Sequence, residues 1–476
     1  MGIKILGIDI GSFQVRAVMA EYSDDGMKII GIGTEKANGV KKGAITNIEL
    51  ASKSVKNALT NAQRVAGTRY DKVIVSISGA NTKSLDSNGV VNIPNHEIGI
   101  SEIERAMQIA NHYASVSTDY EKLHVLPYNF KVDEQEHIED PLGMNGTRLE
   151  VHAHIIIVQK SILNNLKKAI NLAGIEIDNI VLSGYASSIA TLNDDEKELG
   201  AALIDIGGSV SDVVVHSGNS IIFNDFLPVG SSHITNDLSI ALHTPLPKAE
   251  EIKIGYGSLI AKSTDLIELP ELGDENKSNE VSLDIISKVI YARAEETLVF
   301  LSNIIQNSKN ELKHKDMLGA GVVFTGGMTK LDGFKELASM VFDKYQIRIA
   351  KPKNMEGLYE VIRDPSNSCV IGLCMYGAGH FTPYEIDSEK KMRYKNESIV
   401  SSKARLKNLF EEDNLLNNEE NKKQEEFGFK YTKGAEHFQD NGKKDIKDEL
   451  LDISDIKHEK NPSVFSKIWH WMTQWF

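Results

Sequence analysis

One short pattern occurs twice in this chain, and it constrains the fold more than any other feature. Leu6-Gly7-Ile8-Asp9-Ile10-Gly11-Ser12 lies near the start, and Leu203-Ile204-Asp205-Ile206-Gly207-Gly208-Ser209 lies near the middle. Each is an apolar, β-rich run with one carboxylate at its end, then a Gly and Ser turn, then a second apolar run. Glycine lets backbone approach a ligand closely, and turn N–H groups and Ser hydroxyls can donate to phosphate oxygens. An aspartate repels phosphate, but it can hold Mg²⁺, usually through water, or orient an attacking water. Two such hairpins facing one another would clamp a phosphate–metal unit from both sides. That assigns Gly11, Ser12, Gly207, Gly208 and Ser209 to phosphate, Asp9 and Asp205 to the metal, and Asp205 also to water orientation. A third element, Val322-Val323-Phe324-Thr325-Gly326-Gly327-Met328, reads as a strand ending in Gly-Gly ahead of a helix. Its Gly326-Gly327 pair would let backbone pass close to a nucleoside.

The 476 residues exceed one simple core and predict two lobes or more. Leu50, Val55, Ala58, Leu59 and Ala62 recur at helical spacing and predict a helix over 48–66. A β-rich run covers 72–78. Residues 85–160 change character and read as an inserted subdomain, with a helix over 101–114 that Ser101 would cap and Glu104 would box. A strand over 151–158 and a helix over 161–173 follow. The polar stretch 262–280 reads as a loop. Residues 386–461 are crowded with Lys, Glu, Asp and Asn and cannot bury enough apolar surface to offset their ordering entropy, so they read as a disordered linker with transient helix near 404–416.

The formal net charge of −14 makes general nucleic-acid binding unfavourable. Two cysteines, Cys369 and Cys374, lie in an apolar small-residue stretch and read as buried free thiols. His152 and His154 share a strand face but have no third ligand nearby in sequence. No run reaches the roughly 18 apolar residues of a spanning helix, so membrane contact would be peripheral. The last residues supply that contact. On a helical projection of 463–476, Val464, Phe465, Ile468, Trp469, Trp471, Met472, Trp475 and Phe476 fall within an arc of about 160°. Pro462 stands at the first turn, and the helix would be about 22 Å long, too short to span. Such an aromatic face behind a polar tether suits an interfacial membrane helix or, alternatively, a partner groove.

The three glycine elements, in this order, resemble the two phosphate motifs and the adenosine motif of the actin/Hsp70/sugar-kinase superfamily. Residues 140–150, DPLGMNGTRLE, resemble a segment characteristic of the FtsA family, and 249–257, AEEIKIGYG, resemble that family's helix beside the adenosine. The resemblance implies an α/β, two-lobed actin-like ATPase fold with an inserted subdomain, a disordered linker and a C-terminal amphipathic helix. Its implied boundaries are 1–84, 161–198 and 361–385 for the first lobe, 85–160 for the insertion, and 199–360 for the second lobe with a subdomain at about 237–313. The linker is then 386–461 and the targeting helix 462–476. It implies ATP and Mg²⁺ as cofactors, Glu250, Lys253 and Met328 near the nucleoside, and Asp212 beside Asp9 and Asp205 in the metal shell. Gln14 stands where some relatives carry Lys, Ser209 and Val210 where they often carry Gly or Thr, and Met328 where a third small residue is usual. The missing cation points to weak or no ATP hydrolysis. The implied role is a division scaffold at the cytoplasmic face of the inner membrane. It would hold the C-terminal peptide of FtsZ through a region containing Arg293, polymerise with itself, meet other division proteins, and contact lipid through Phe465, Ile468, Trp469, Met472, Trp475 and Phe476. A small-molecule kinase or an actin-like pilus-assembly protein would share the hairpins; a kinase would also need a catalytic base, and neither would need the aromatic tail.

Overall fold

The structure is a computed structural model that describes residues 2–394 other than 219, 261–262, 264, 272–273, 313–317 and 359–362. The helix near 404–416 and the aromatic helix of 462–476 therefore lie outside the described residues.

The first lobe opens with β1 (Ile3–Ile10), β2 (Gln14–Ser23) and β3 (Gly26–Lys36), an antiparallel meander. A small ribbon, β4 (Val40–Lys41) and β5 (Ala44–Ile45), leads into α1 (Ile48–Ala66). Asn47 Oδ1 accepts from the Leu50 N–H at 3.0 Å, and Gly67 closes the helix with φ +63°. Ala51, Val55, Ala58, Leu59 and Ala62 form its buried stripe, whereas Leu50 is exposed. Strand β6 (Lys72–Ile77) runs parallel to β1.

The insertion follows as β7 (Thr82–Asn92), α2 (Ile100–Tyr113), β8 (Tyr120–Val132), β9 (Gln135–Ile138) and β10 (Arg148–Gln159). Its four strands pair in the order β7-β10-β8-β9, all antiparallel, with α2 across one face. The cap of α2 differs from the sequence expectation. Gly99 is the N-cap, and its N–H donates to Glu102 Oε2 at 3.0 Å; only the glutamate half of a capping box forms, two residues upstream of the expected Ser101 and Glu104. His154 is spoken for by Asp86 and Asn224, at 3.2 and 2.9 Å, in line with a structural rather than metal-binding histidine.

The chain returns through α3 (Lys160–Leu172), β11 (Asn179–Leu182), α4 (Ser183–Thr191) and α5 (Asp194–Leu199). The first-lobe sheet is thus ordered β11-β6-β1-β2-β3, with a short parallel edge strand, Glu356–Gly357, beside β3. The second lobe starts with β12 (Ala201–Ile206), β13 (Ser211–Ser217) and β14 (Ser220–Leu227), again an antiparallel meander. Then come α6 (Ser231–Ala241), α7 (Leu246–Tyr256), β15 (Leu266–Glu271), β16 (Asp274–Ser282), α8 (Leu283–Leu312), β17 (Gly321–Thr325), α9 (Phe334–Val341) and β18 (Ile347–Ile349). β17 lies parallel to β12, and β18 parallel to β17. The order β14-β13-β12-β17-β18 repeats β3-β2-β1-β6-β11 strand for strand. The duplicated motif is therefore a duplicated sheet. Phe324 anchors the second core, meeting Phe334 and Phe342 edge-on at ring separations of 5.5 and 5.3 Å.

The stretch 262–280 was expected to be a loop, yet β15 and β16 form a two-stranded hairpin there. Leu269 is buried, and Ile267 and Val281 pack against the second-lobe core. The alternation is confined to Ile267 and Leu269 of β15, with Val281 the one apolar residue of β16, and the surrounding Glu, Asp and Asn mask it in the composition.

After the edge strand β19 (Glu356–Gly357), α10 (Ser368–Gly377) crosses the first lobe fully buried, with Cys369 and Cys374 as free thiols inside it. The fold also continues past residue 385. Ile386 bridges Val125 and Met392, and Asn179 donates to Asp387 at 2.7 Å. Residues 386–394, polar by composition and expected to be linker, are held because their charges are paired inside the molecule.

Candidate functional site

Each sheet delivers its hairpin turn to the same cleft. Gly11 N–H closes the first turn onto the Gln14 carbonyl at 3.1 Å, and Gly207 N–H closes the second onto Val210 at 3.0 Å. The turns face one another: a methyl group built on Gly208 would come within 2.9 Å of Phe13 Cβ. The first turns of α6 brace the second hairpin from behind. Ser231 and Ser232 donate their backbone N–H groups to the Gly207 and Gly208 carbonyls at 3.0 and 2.7 Å. Ser12 Oγ accepts from the Gly43 N–H at 2.9 Å, which leaves its own proton available. Gly11, Ser12, Gly207, Gly208, Ser209, Gly326 and Gly327 all line the cleft.

Three carboxylates reach into the same space, each held by donors from elsewhere in the chain. Ser76 Oγ donates to Asp9 Oδ1 at 2.9 Å and itself accepts from the Ile10 N–H. Ser187 Oγ, on α4, donates to Asp205 Oδ2 at 2.5 Å. Asp212 accepts from the Gly79 N–H at 3.1 Å and from Ser183 Oγ at 2.8 Å, tying the second hairpin to the first lobe. Burial raises the Asp205 carboxyl to about 7, with Asp212 and Asp9 adding repulsion against the help of Ser187. Burial likewise lifts Asp212 to about 6, opposed by Ser183 and Gly79. Burial, then Asp9 and Asp205, hold the Cys369 thiol well above its ordinary range, so it stays protonated.

Such a trio asks for positive charge. Arg16 supplies part of it: its guanidinium lines the cleft 3.9 Å from Asp9 and donates to Gln14 at 2.9 Å. A cation absent at Gln14 is thus present two residues on along the same strand, at Arg16. Among the described residues no three His, Cys, Asp or Glu side chains stand close enough to ligate a metal directly. The donor set fits a hydrated divalent ion, held by carboxylates through its water, and does not fit a dehydrated one.

The adenosine element sits against the same floor. Gly326 has φ +93°, and a Cβ there would meet Asp205 Oδ1 at 2.4 Å, so only glycine fits. The Met328 side chain turns away into the second-lobe core. Glu250 and Lys253 do not line the cleft. Lys253 pairs with Glu250 at 2.8 Å and donates to the Ser231 carbonyl at 3.1 Å and to Thr235 at 2.9 Å, fastening α7 to α6. Burial lowers the Lys253 pKa, partly offset by Glu250. Arg293 is not a free surface cation. Its guanidinium makes a two-pronged pair with Asp237 on α6, at 2.5 and 3.1 Å, and a further pair with Glu296. Phe465, Ile468, Trp469, Met472, Trp475 and Phe476 lie outside the described residues.

The supporting donors Ser76, Gly79, Ser183 and Ser187 went unread in the sequence. Gly79 and Ser183 have one local signal, a small polar residue directly after a buried strand, in Ile77-Ser78-Gly79 and Leu182-Ser183-Gly184, whereas Ser76 lies within β6 and Ser187 within α4, where nothing in the sequence marks them.

Comparison with known proteins agrees with this architecture. A family model described as "Cell division protein FtsA" matches residues 202–372, and one described as "SHS2 domain inserted in FTSA" matches residues 79–157. The cell division protein FtsA of Helicobacter pylori (strain J99) is 40% identical over 437 residues, 85% of this chain and 88% of its own length. That of Pseudomonas aeruginosa is 36% identical over 380 residues, covering 79% and 89%. That of Escherichia coli (strain K12) is 30% identical over 396 residues, covering 82% and 93%. Among solved structures, a chain of the PilM–PilN type IV pilus biogenesis complex superposes with a TM-score of 0.57 at 16% identity, covering 79% of this chain and 99% of that one, a likeness of fold. With its duplicated, actin-like α/β lobes and an SHS2 domain inserted in the first, this chain belongs to the FtsA family of cell-division proteins.

Proposed function

We propose that this chain is a nucleotide-dependent scaffold of cell division, which binds Mg·ATP between its lobes and tethers FtsZ filaments to the inner face of the cytoplasmic membrane. The observation that carries the nucleotide half is the convergence of Asp9, Asp205 and Asp212 beneath two facing glycine turns. In this reading the N–H groups and hydroxyls of Gly11, Ser12, Gly207, Gly208 and Ser209 hold the phosphates, and Arg16 balances part of their charge. Gly326 and Gly327 pass beneath the nucleoside, with Glu250, Lys253 and Met328 setting the position of the helices and turn around it. Asp9, Asp205 and Asp212 hold the water shell of Mg²⁺, which when bound neutralises phosphate charge. Asp205, braced by Ser187, is also the group that orients water; turnover is weak or absent, and the bound nucleotide biases the arrangement of the lobes.

The membrane half rests on the sequence pattern. Phe465, Ile468, Trp469, Met472, Trp475 and Phe476 share a helical face at the end of a polar tether, the arrangement of an interfacial anchor. The C-terminal peptide of FtsZ, a second copy of the chain and other division proteins are its protein partners. Arg293 acts in that contact by holding α6 on α8.

Two measurements test the reading. Titration of the full chain with ATP at millimolar Mg²⁺ is expected to show binding that Mg²⁺ chelation weakens; no affinity for ATP would remove the nucleotide half. Flotation with liposomes is expected for the full chain and lost for a chain ending at Asn461; equal flotation of both would remove the membrane half.

A further inference from the structure

The two glycine turns are built alike but differ in one side chain. Gly11 N–H closes the first onto Gln14 and Gly207 N–H closes the second onto Val210, so Phe13 and Ser209 occupy matching positions. A serine suits a polar cleft. Phe13 is the one aromatic residue among those that line the cleft, it is 42% exposed, and it is part of none of the three apolar cores. Its side chain therefore serves neither core packing nor, having no polar atom, the holding of phosphate oxygens.

Its position gives it another use. The Phe13 backbone is pinned to the first lobe, where its carbonyl accepts from the Ala37 N–H at 3.0 Å. Gly208 of the second lobe stands opposite. A Cβ added to Gly208 would lie 2.9 Å from Phe13 Cβ and 3.4 Å from Phe13 N, so the turns approach this closely only because residue 208 has no side chain. Asp9, Asp205 and Asp212 line the same cleft and are all less exposed than Phe13, which puts the ring at the rim and the carboxylates behind it.

We infer that Phe13 is a gate for nucleotide exchange. Set against Gly208, it closes the rim between the two turns, and a nucleotide enters or leaves when the ring swings aside or the lobes part. The gate rests on the proposed Mg·nucleotide cleft and adds what limits traffic through it. A gate has a kinetic signature that a binding contact lacks. An obstruction on the path raises the barrier equally in both directions, so its removal speeds association and dissociation together and leaves their ratio, the affinity, in place. A side chain that holds the bound nucleotide acts on dissociation instead.

The test is rapid filtration of the full chain with radiolabelled ADP at millimolar Mg²⁺. Association is read from the dependence of the observed rate on ADP concentration, and dissociation from a chase with excess unlabelled ADP. Phe13→Ser, which copies the matching residue of the second turn, is expected to raise both rate constants at least about tenfold while the dissociation constant stays within about threefold. Phe13→Trp, which enlarges the obstruction, is expected to lower both rate constants, an effect that a loosened protein cannot produce. A rise in dissociation alone would make Phe13 a contact of the bound nucleotide, and rates unchanged in both variants would make it a passive rim residue; either result overturns the gate. A wild-type chain that retains no ADP would remove the nucleotide cleft itself, and the gate with it.

Discussion

Gly326→Ala isolates what the floor of the cleft demands of its backbone. Gly326 sits at φ +93° and ψ 168°, a region that residues with a Cβ rarely enter. The added methyl would stand 2.4 Å from Asp205 Oδ1, 2.5 Å from the Ile206 carbonyl oxygen and 2.7 Å from the Ile206 nitrogen. Two of those atoms are backbone in a central strand and cannot step aside. Backbone strain of about 1–3 kcal/mol adds to overpacking of about 1–3 kcal/mol, so the whole change is roughly 2–6 kcal/mol. Gly327→Ala is the matched control. Its φ is ordinary, and its methyl would meet nothing nearer than Ser366 Cβ at 3.8 Å, so its stability cost stays within about 0.5 kcal/mol. Urea unfolding of the nucleotide-free chain, followed by tryptophan-independent far-UV circular dichroism, reads both. ATP titration then separates their roles: Gly327→Ala keeps the fold and weakens nucleotide binding if backbone there lies against the nucleoside. A Gly326→Ala protein as stable as the wild type would refute the claim that the Asp205 strand and the adenosine turn are in contact.

Asp212→Asn removes one of three like charges yet keeps an acceptor for the Gly79 N–H; the nucleotide-free protein should gain roughly 1 kcal/mol in urea at pH 8 while the Mg²⁺ dependence of ATP binding falls, and unchanged Mg²⁺ dependence would exclude Asp212 from the metal shell. His124 is fully buried, and burial first, then Arg393 and Lys390, lowers its pKa to about 3 against 6.5 when unfolded. The unfolded chain therefore binds the extra proton, and stability is lost as pH falls from about 6.5 toward 3; between pH 7 and pH 5 the wild type should lose about 2 kcal/mol more than His124→Gln, and parallel losses would contradict the burial of a neutral imidazole. Gly372→Ala places a methyl 1.7 Å from the Ala186 carbonyl oxygen where α10 crosses α4; despite a helix-propensity gain of about 1 kcal/mol it should destabilise by about 2 kcal/mol or more in chemical denaturation, and a stabilised protein would mean the helices are further apart. Arg293→Ala strands Asp237 and Glu296 and should cost about 1 kcal/mol, measured the same way; no cost would show that the pair does not fasten α6 to α8.

What could be read in the sequence was what is local. The runs ending at Asp9-Ile10-Gly11 and Asp205-Ile206-Gly207 state strand, carboxylate and turn within seven residues each, and both became hairpins whose aspartates share one cleft. The groups that position those aspartates were not legible, because Ser76, Ser187 and Gly79 arrive from different strands and helices and have no fixed spacing to their partners. Composition misled at two places for one reason. It counts charges without knowing which are paired. Glu385, Asp387 and Arg393 make the end of the fold look like linker, yet Tyr185 donates to Glu385 at 2.8 Å, and the Arg393 guanidinium lies 4.6 Å over the Tyr376 ring. At 266–282 the acidic residues hid the alternation of Ile267 and Leu269 that seats the hairpin.

The two hairpins superimpose in register but not in charge, and the difference is where the chemistry sits. Asp9 lies opposite Arg16 across the first hairpin, and Asp205 lies opposite Asp212 across the second. Strand periodicity puts each of these pairs on one face, so the same geometric position carries a guanidinium in one lobe and a carboxylate in the other. A symmetric pair of Asp–Arg hairpins would neutralise itself and give a cation no reason to bind. A symmetric pair of Asp–Asp hairpins would leave too much negative charge for phosphate to approach. Three carboxylates and one guanidinium leave an excess of two negative charges when all are ionised, the amount one divalent ion cancels. Phosphate oxygens can then be met by the uncharged N–H groups of the two turns and by Arg16. On the proposed function, the departure from symmetry at residues 16 and 212 is what lets a duplicated sheet take a metal–phosphate unit.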